Sequence, residues 1–153
     1  MSEENVELVR NYLEVVQRAY EAYWQAPRSV ADSLRAGEVE PEIADVMHYM
    51  HPNIEWKSAL IDVDSTRGYE GAARGLDRLL EAAQDYRINV QEVIGLGANR
   101  VLAVLELVMK GKASDIDVNT TIFSIITVKN GLITRMDEYL ERAEALEAAG
   151  LSE

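Results

Sequence analysis

Thr121-Ile-Phe-Ser-Ile-Ile-Thr-Val128 and Leu132-Ile-Thr-Arg-Met-Asp-Glu-Tyr139 are two apolar, β-rich runs that meet at Asn130-Gly131, and a helical tail from Arg142 to Gly150 follows them. Asn-Gly supplies the positive φ values that a tight hairpin turn requires, so this stretch reads as two long antiparallel strands followed by a helix. Upstream, Arg87 to Ile94 alternates, Gly95 to Asn99 reads as a turn, and Val101 to Met109 is an almost unbroken apolar run, as expected of a strand covered on both faces. Past a turn at Gly111, the next strand is expected over Ser114 to Val128, with Ile116, Val118, Ile122, Ser124 and Ile126 on one face.

The first half is helical. Ser2 is placed to cap a helix with Glu3 and Glu4 in its first turn, and Val6, Val9, Leu13, Val16 and Tyr20 repeat at helical spacing until Pro27 forces an end near Trp24 to Gln25. A short helix is expected from Ser29 to Gly37. A third opens at Pro41, buries Ile43, Val46, Met47 and Met50, and stops at His51-Pro52. The connection over 25–41 shows no obvious packing face and reads as a flap. Asn53 to Ala59 is a short strand centred on Trp56, Leu60 to Gly68 a hairpin or loop, and Gly71 to Ala83 another amphipathic helix that ends by Asp85. Helices followed by antiparallel strands joined by short turns make an α+β fold.

Composition narrows the function. The 153 residues suit a single domain spanning 1–153, and 48% hydrophobic with 27% charged residues is ordinary for a folded globular chain. A formal charge of -12 with no basic stripe argues against nucleic acid and anionic membrane partners. The absence of cysteine removes disulfides, thiolate nucleophiles and cysteine zinc sites. With no signal-like opening and no stretch apolar enough to span a bilayer, the expected location is cytoplasmic. Phe123 and Ile125 put bulk on the second face of the sheet, which predicts a homodimer through the outer sheet face.

Four motifs, in order, resemble the SnoaL-like branch of the nuclear transport factor two-like superfamily. They are Ser2-Glu-Glu-Asn-Val-Glu-Leu-Val-Arg10, His51-Pro52-Asn53-Ile54-Glu55-Trp56, Gly68-Tyr-Glu-Gly71 and Glu138-Tyr-Leu-Glu-Arg-Ala-Glu-Ala-Leu-Glu-Ala-Ala-Gly150. Residues 25–41 look like an insertion against that pattern. The resemblance implies a strongly curved antiparallel sheet wrapped with helices into a cone with an internal apolar cavity, often dimeric. It spans polyketide cyclases, ketosteroid isomerases, epoxide hydrolases, dehydratases and proteins without assigned activity, so the fold alone does not choose a reaction. Matched to the isomerase pattern, Ser58 stands where the base would be and Ser124 where the oxyanion-stabilising acid would be, which argues against that activity. Matched to the cyclase pattern, Glu141 stands near the acid/base aspartate.

Several residues are candidates for proton transfer. Glu106 is the one ionisable group between Val101 and Met109, and on strand parity it lies with Leu102, Val104 and Val108, where desolvation would disfavour its charge. Pairing with Arg87 or Arg135, or a place at a dimer edge, is the structural alternative. Glu138 alternates with Met136 and Leu140, and the isomerase register turns that set inward; a solvated surface glutamate is the alternative there. His48 could shuttle protons near cellular pH. The i,i+3 pair His48 and His51 lacks further ligands, so no metal site is assigned, and His51 reads as ordering the helix end.

In such a cone, the concentrated aromatics Tyr12, Tyr20, Tyr23, Trp24, Tyr49 and Trp56 would line or cap the hollow. The expected ligand pocket comprises Tyr20, Trp24, Trp56, Ser58, Ser124 and Met136, for a small, largely apolar molecule. No glycine-rich phosphate loop or hydrolase elbow is present, and no cofactor is expected. Cofactor-independent acid/base catalysis of cyclase, isomerase or dehydratase type stands beside two alternatives, a non-catalytic ligand-binding protein and a protein-interaction module.

Overall fold

The structure is a computed structural model that describes residues 2–60, 66–81, 83–111 and 117–151. Its elements run α1 (Ser2–Gln25), α2 (Val30–Ala36), α3 (Pro41–His48), β1 (Met50–Lys57), β2 (Thr66–Arg67), α4 (Gly68–Glu81), β3 (Ala83–Leu96), β4 (Arg100–Gly111), β5 (Asp117–Lys129), β6 (Leu132–Tyr139) and α5 (Arg142–Ala148). The expected strand start at Ser114 and the residue Ile116 lie outside the described residues, as does most of the expected 60–68 hairpin or loop.

Six strands form one sheet in the order β2-β1-β6-β5-β4-β3. The pairs among β3, β4, β5 and β6 are antiparallel, whereas β1 lies parallel to β6, so the sheet is mixed rather than wholly antiparallel. The reason is topological: β1 comes from the helical half and enters beside the last strand, with no hairpin linking the two. Asn130 and Gly131 have φ of 52° and 78°, the left-handed geometry the β5–β6 turn demands. Register shifts in β3, between Gln84 and Arg87 and again between Val90 and Glu92, bend the long strand, as an extra residue on one side of a ladder does.

Helices α1, α3 and α4 pack on the inner face of the sheet. Val9, Tyr12, Leu13 and Ala19 of α1 are buried there, joined by Leu79 and Leu80 of α4 and by Ile54, Val101, Ala103, Ile122, Ile126 and Ile133 of the sheet. Ile43, Val46 and Met47 of α3 are only half-buried, because the space beneath them is hollow; Met50 belongs to β1.

The 25–41 segment does find a packing face. Val30 and Ala31 of α2 are buried against Ala73 of α4. Asp77 of α4 accepts hydrogen bonds from the Ser29 hydroxyl at 2.8 Å and from the backbone N–H groups of Val30 at 2.7 Å and Ala31 at 3.0 Å. Those N–H groups have no partner within the helix, so one carboxylate both caps α2 and ties it to α4. Gly37, at φ 72°, closes its other end.

Part of the outer sheet face is covered from within the chain. Leu102, Val104 and Ile125 are buried beneath Ala145 and Ala149, with Phe123, Tyr139 and Leu146 packed around them. Arg142 lies over the Phe123 ring, 5.6 Å from its centroid, and pairs with Glu92. For these residues α5 does the covering that the sequence reading gave to a second copy. Ile94, also on this face, stays 41% exposed.

Candidate functional site: an apolar cavity with one carboxyl group

Between α1, α3, α4 and the inner sheet face lies a cavity of about 140 Å³. Its walls are mostly aliphatic, from Leu13 and Val16 of α1, Leu76 and Leu79 of α4, and Leu105, Leu107, Ile122 and Ile126 of the sheet. A smaller hollow of about 70 Å³ adjoins it, and Ala19, Val30, Leu34 and Ile43 border both, so α2 and α3 form the partition.

Polar chemistry enters this lining from few directions. Among the described lining residues Glu138 carries the one carboxyl group, and none is Lys, Arg or His. Strand parity carries Glu138 there: Met136 and Glu138 on β6 face the same way as Ser124 and Ile126 on β5, and Ser124 pairs directly with Glu138 across the ladder. Glu138 is half-buried and lines the cavity.

Burial raises the Glu138 pKa above the ordinary carboxylate value, because the charged form loses water. Three donors work against that rise: the Ala59 backbone N–H, which donates to Oε1 at 3.3 Å, the Trp56 indole and the Ser58 hydroxyl. Desolvation is the larger effect. The indole N–H of Trp56 is buried and makes no hydrogen bond of normal geometry, so its influence on Glu138 is that of a nearby dipole.

Four tyrosines join the lining, of which Tyr69 of α4 donates its hydroxyl to the Met50 carbonyl at 2.9 Å. Tyr12 and Tyr20 come from α1 and Tyr86 from β3, with the Tyr20 and Tyr86 rings edge to face at 5.1 Å between centroids. The Tyr12 hydroxyl donates to Met136 Sδ at 3.5 Å. Burial, and after it the negative charge of Glu138, push the pKa of Tyr12 and Tyr86 far upward; Tyr20 is raised by burial first, then by its tyrosine neighbours and Glu138. Tyr12, Tyr20 and Tyr86 therefore keep their protons across the physiological range and can act as hydrogen-bond donors, not as bases.

Of the residues singled out from sequence, the structure brings Glu138, Tyr20, Trp56, Ser124 and Met136 together on the cavity wall. Ser58 lies just behind, beyond the end of β1, where its hydroxyl accepts from Leu60 N at 3.1 Å and bears on Glu138. Four candidates are elsewhere. Glu106 shares the outer face with Leu102 and Val104 and accepts from Asn89 Nδ2 at 3.1 Å, because the helical layer lies against the opposite set, Leu105 and Leu107. Glu141 is exposed at the N-terminal end of α5, and His48 is exposed at the end of α3. Trp24 is partly buried outside the lining, its indole donating to the Tyr86 carbonyl at 3.3 Å. His51 Nδ1 accepts from Asn53 N at 3.0 Å, and no cluster of three metal-ligating side chains occurs among the described residues.

Tyr86 escaped the sequence reading. It follows Asp85, whose φ of 49° and adjoining register shift belong to a bulge, one residue before the alternation that starts at Arg87. The usable signal was the shared parity of Tyr86 and Ile88.

A curved sheet backed by helices around a hollow with one buried acid defines a class, and comparison with known proteins gives the same class. Residues 16–136 match the SnoaL-like domain family, and the chain belongs to it. No curated protein matches in sequence. Among solved structures, Bal32a from a soil-derived mobile gene cassette is similar at 13% identity and a TM-score of 0.64, covering 94% of each chain. TerC, co-crystallised with polyporic acid, is similar at 19% identity and a TM-score of 0.56, with 78% of this chain and 91% of that one covered. RV0760c from Mycobacterium tuberculosis, in complex with estradiol-17beta-hemisuccinate, is similar at 16% identity and a TM-score of 0.55, over 74% and 89%. At these identities the likeness is one of fold.

Proposed function

We propose that this protein binds a small, uncharged, mostly apolar ring compound and moves a proton on it through Glu138, in a reaction of cyclase, isomerase or dehydratase type. The observation that carries the reading is the solitary carboxyl group in an apolar lining without a compensating cation. A carboxylate or phosphate ligand would meet Glu138 with like charge and find no partner, whereas a neutral molecule with a weakly acidic O–H or C–H gives the carboxylate the donor it lacks. The volume supports a molecule of about one ring, since a cavity of about 150 Å³ accommodates benzene. That TerC and RV0760c were crystallised with polyporic acid and an estradiol derivative supports ring compounds as the ligand class.

In this reading ionised Glu138 accepts the proton, and a hydroxyl of Tyr12, Tyr20 or Tyr86 donates to the oxygen on which negative charge develops. Two experiments with Glu138→Gln test it. 4-Nitrophenol, a one-ring acid, is expected in its un-ionised form to bind the wild type and at least about tenfold more weakly to the variant, the loss of one charge-assisted hydrogen bond. Benzoate is expected to bind poorly to both. Equal affinity of the two proteins for 4-nitrophenol, or tight benzoate binding, refutes the ligand class. For catalysis, cyclohexanone in D₂O should exchange its α-protons faster with wild type than with buffer, and the variant should lose about 100-fold or more of that rate.

A binding protein without turnover is the second reading, favoured by Ser58 and Ser124 where relatives of the isomerase type would carry acids. Phenol binding without exchange selects it. Pairing of two copies beside α5 on the outer face, where Ile94 is exposed, belongs to the same proposal, and a monomer by light scattering at all concentrations removes it.

A further inference from the structure

We propose that Trp56 is a positioning residue for Glu138, that its indole N–H holds the carboxylate at the cavity wall once the proton has left, and that Gly75 is the glycine it is because the indole ring occupies the space of a side chain there. The inference rests on the reading of Glu138 as the proton-transfer group, and adds how the chain controls that group.

The indole N–H is the starting point. Trp56 is 8% exposed and its Nε1 is buried without a hydrogen-bond partner. An indole N–H can only donate, and a buried donor without an acceptor is unusual enough in folded proteins to need a reason. The acceptor nearest in the fold is the Glu138 carboxyl: Trp56 pairs with Met136 across β1 and β6, Glu138 follows two residues later on the same face, both side chains line the cavity, and the Ala59 N–H donates to Glu138. The Trp56 indole and the Ser58 hydroxyl also favour its charged form. A carboxylate accepts more strongly than a carboxylic acid, so ionisation draws the N–H into a full bond and protonation releases it. The groups facing Glu138 from the other elements are Tyr12 and Tyr20 of α1 and Tyr86 of β3, all protonated donors, and Ser124 of β5; among the described residues no cation lines the cavity beside it. Within this set Trp56 is the donor held in place by a rigid ring.

That ring is wedged against the backbone of α4. A Cβ at Gly75 would lie 2.8 Å from Trp56 Cζ3, closer than real Cβ contacts come, and a tight 3.2 Å from Cε3. Glycine inside a helix is unfavourable relative to alanine, so its presence mid-α4 points to the space it leaves. On the other side, Thr66 Oγ1 donates to the Trp56 carbonyl at 3.3 Å and fixes the strand that carries the ring.

The chain has two tryptophans, which gives a direct test. In Trp24→Phe, Trp56 is the sole indole, and its emission should change with pH at the Glu138 midpoint; adding Glu138→Gln should abolish that step. By carbon-13 NMR of the ligand-free protein, with Glu138→Gln identifying the resonance, the Glu138 midpoint should move upward in Trp56→Phe, because a donor to the charged form is gone. Gly75→Ala keeps the indole but displaces it, and should shift the midpoint the same way. A Trp56 emission insensitive to Glu138, or an unmoved midpoint in Trp56→Phe, overturns the proposal; an unmoved midpoint in Gly75→Ala alone overturns the role of Gly75. Should Trp56→Phe not fold, the emission titration and Gly75→Ala decide. These readouts need no ligand, so failure of 4-nitrophenol binding or of ketone exchange removes the ligand reading without touching this one, and the reverse also holds.

Discussion

Both faces of the central sheet bury apolar side chains, and they are used in opposite ways. On the outer face, α5 presents the small residues Ala145 and Ala149, which let its backbone come close and bury Leu102, Val104 and Ile125 without a hollow. On the inner face, larger side chains on α1 and α4 stand between helix and sheet, and a cavity remains among Leu105, Leu107, Tyr20 and Trp56. Dense packing gives stability; incomplete packing leaves room for a ligand, at the cost of dispersion contacts along the lining. The lone acid of the interior sits on the loosely packed side, where a ligand could meet it.

The contrast can be broken by paired truncations. Leu102→Ala on the dense face should cost about 3–5 kcal/mol, whereas Leu105→Ala, which borders a space already empty, should fall near the lower end of the usual range of about 2–5 kcal/mol. Denaturant unfolding checks both, and equal losses would mean that the two faces are packed alike. Next in size, Asp77→Ala removes the acceptor that holds the start of α2, and a loss of about 1–2 kcal/mol is expected, with faster amide exchange in Val30 and Ala31 than elsewhere.

A smaller, pH-dependent effect sharpens the role of the cavity acid. Because the Glu138 pKa is raised in the folded state, the native protein holds that proton more tightly than the unfolded chain, and stability falls as pH rises from the ordinary carboxylate value through the raised one. Glu138→Gln lacks this loss, so its melting temperature relative to wild type should increase from pH 4 to pH 8; a constant difference would place Glu138 in free contact with water. The smallest change is expected for Arg142→Ala. Its pairing with Glu92 and its place over Phe123 are partly exposed, and about 0.5–1 kcal/mol is the expected loss by chemical denaturation.

What could be read from sequence follows from how local its cause is. The Asn130-Gly131 turn was legible because the required φ values belong to two residues, and α1 because its apolar spacing is its own. Glu138 was legible only in part: parity tied it to Met136, but which face was inner came from resemblance. Glu106 shows the limit, since its strand is apolar on both sides and parity cannot tell which side faces the cavity. The 25–41 segment looked unpartnered because its partner, Asp77, lies more than forty residues away and has no sequence pattern to announce it.

The sequence by itself determined the long first helix, the central strand runs of the second half, the tight turn and the scarcity of charge in the apolar runs, since all of these follow from propensities and spacing along the chain. Only the tertiary structure decided that β1 lies parallel to β6, that α5 covers the outer face, and that Glu138 meets Trp56, Ser58 and Ala59 at a cavity. Those facts depend on which distant segments come together, and nothing in the spacing of neighbours fixes that.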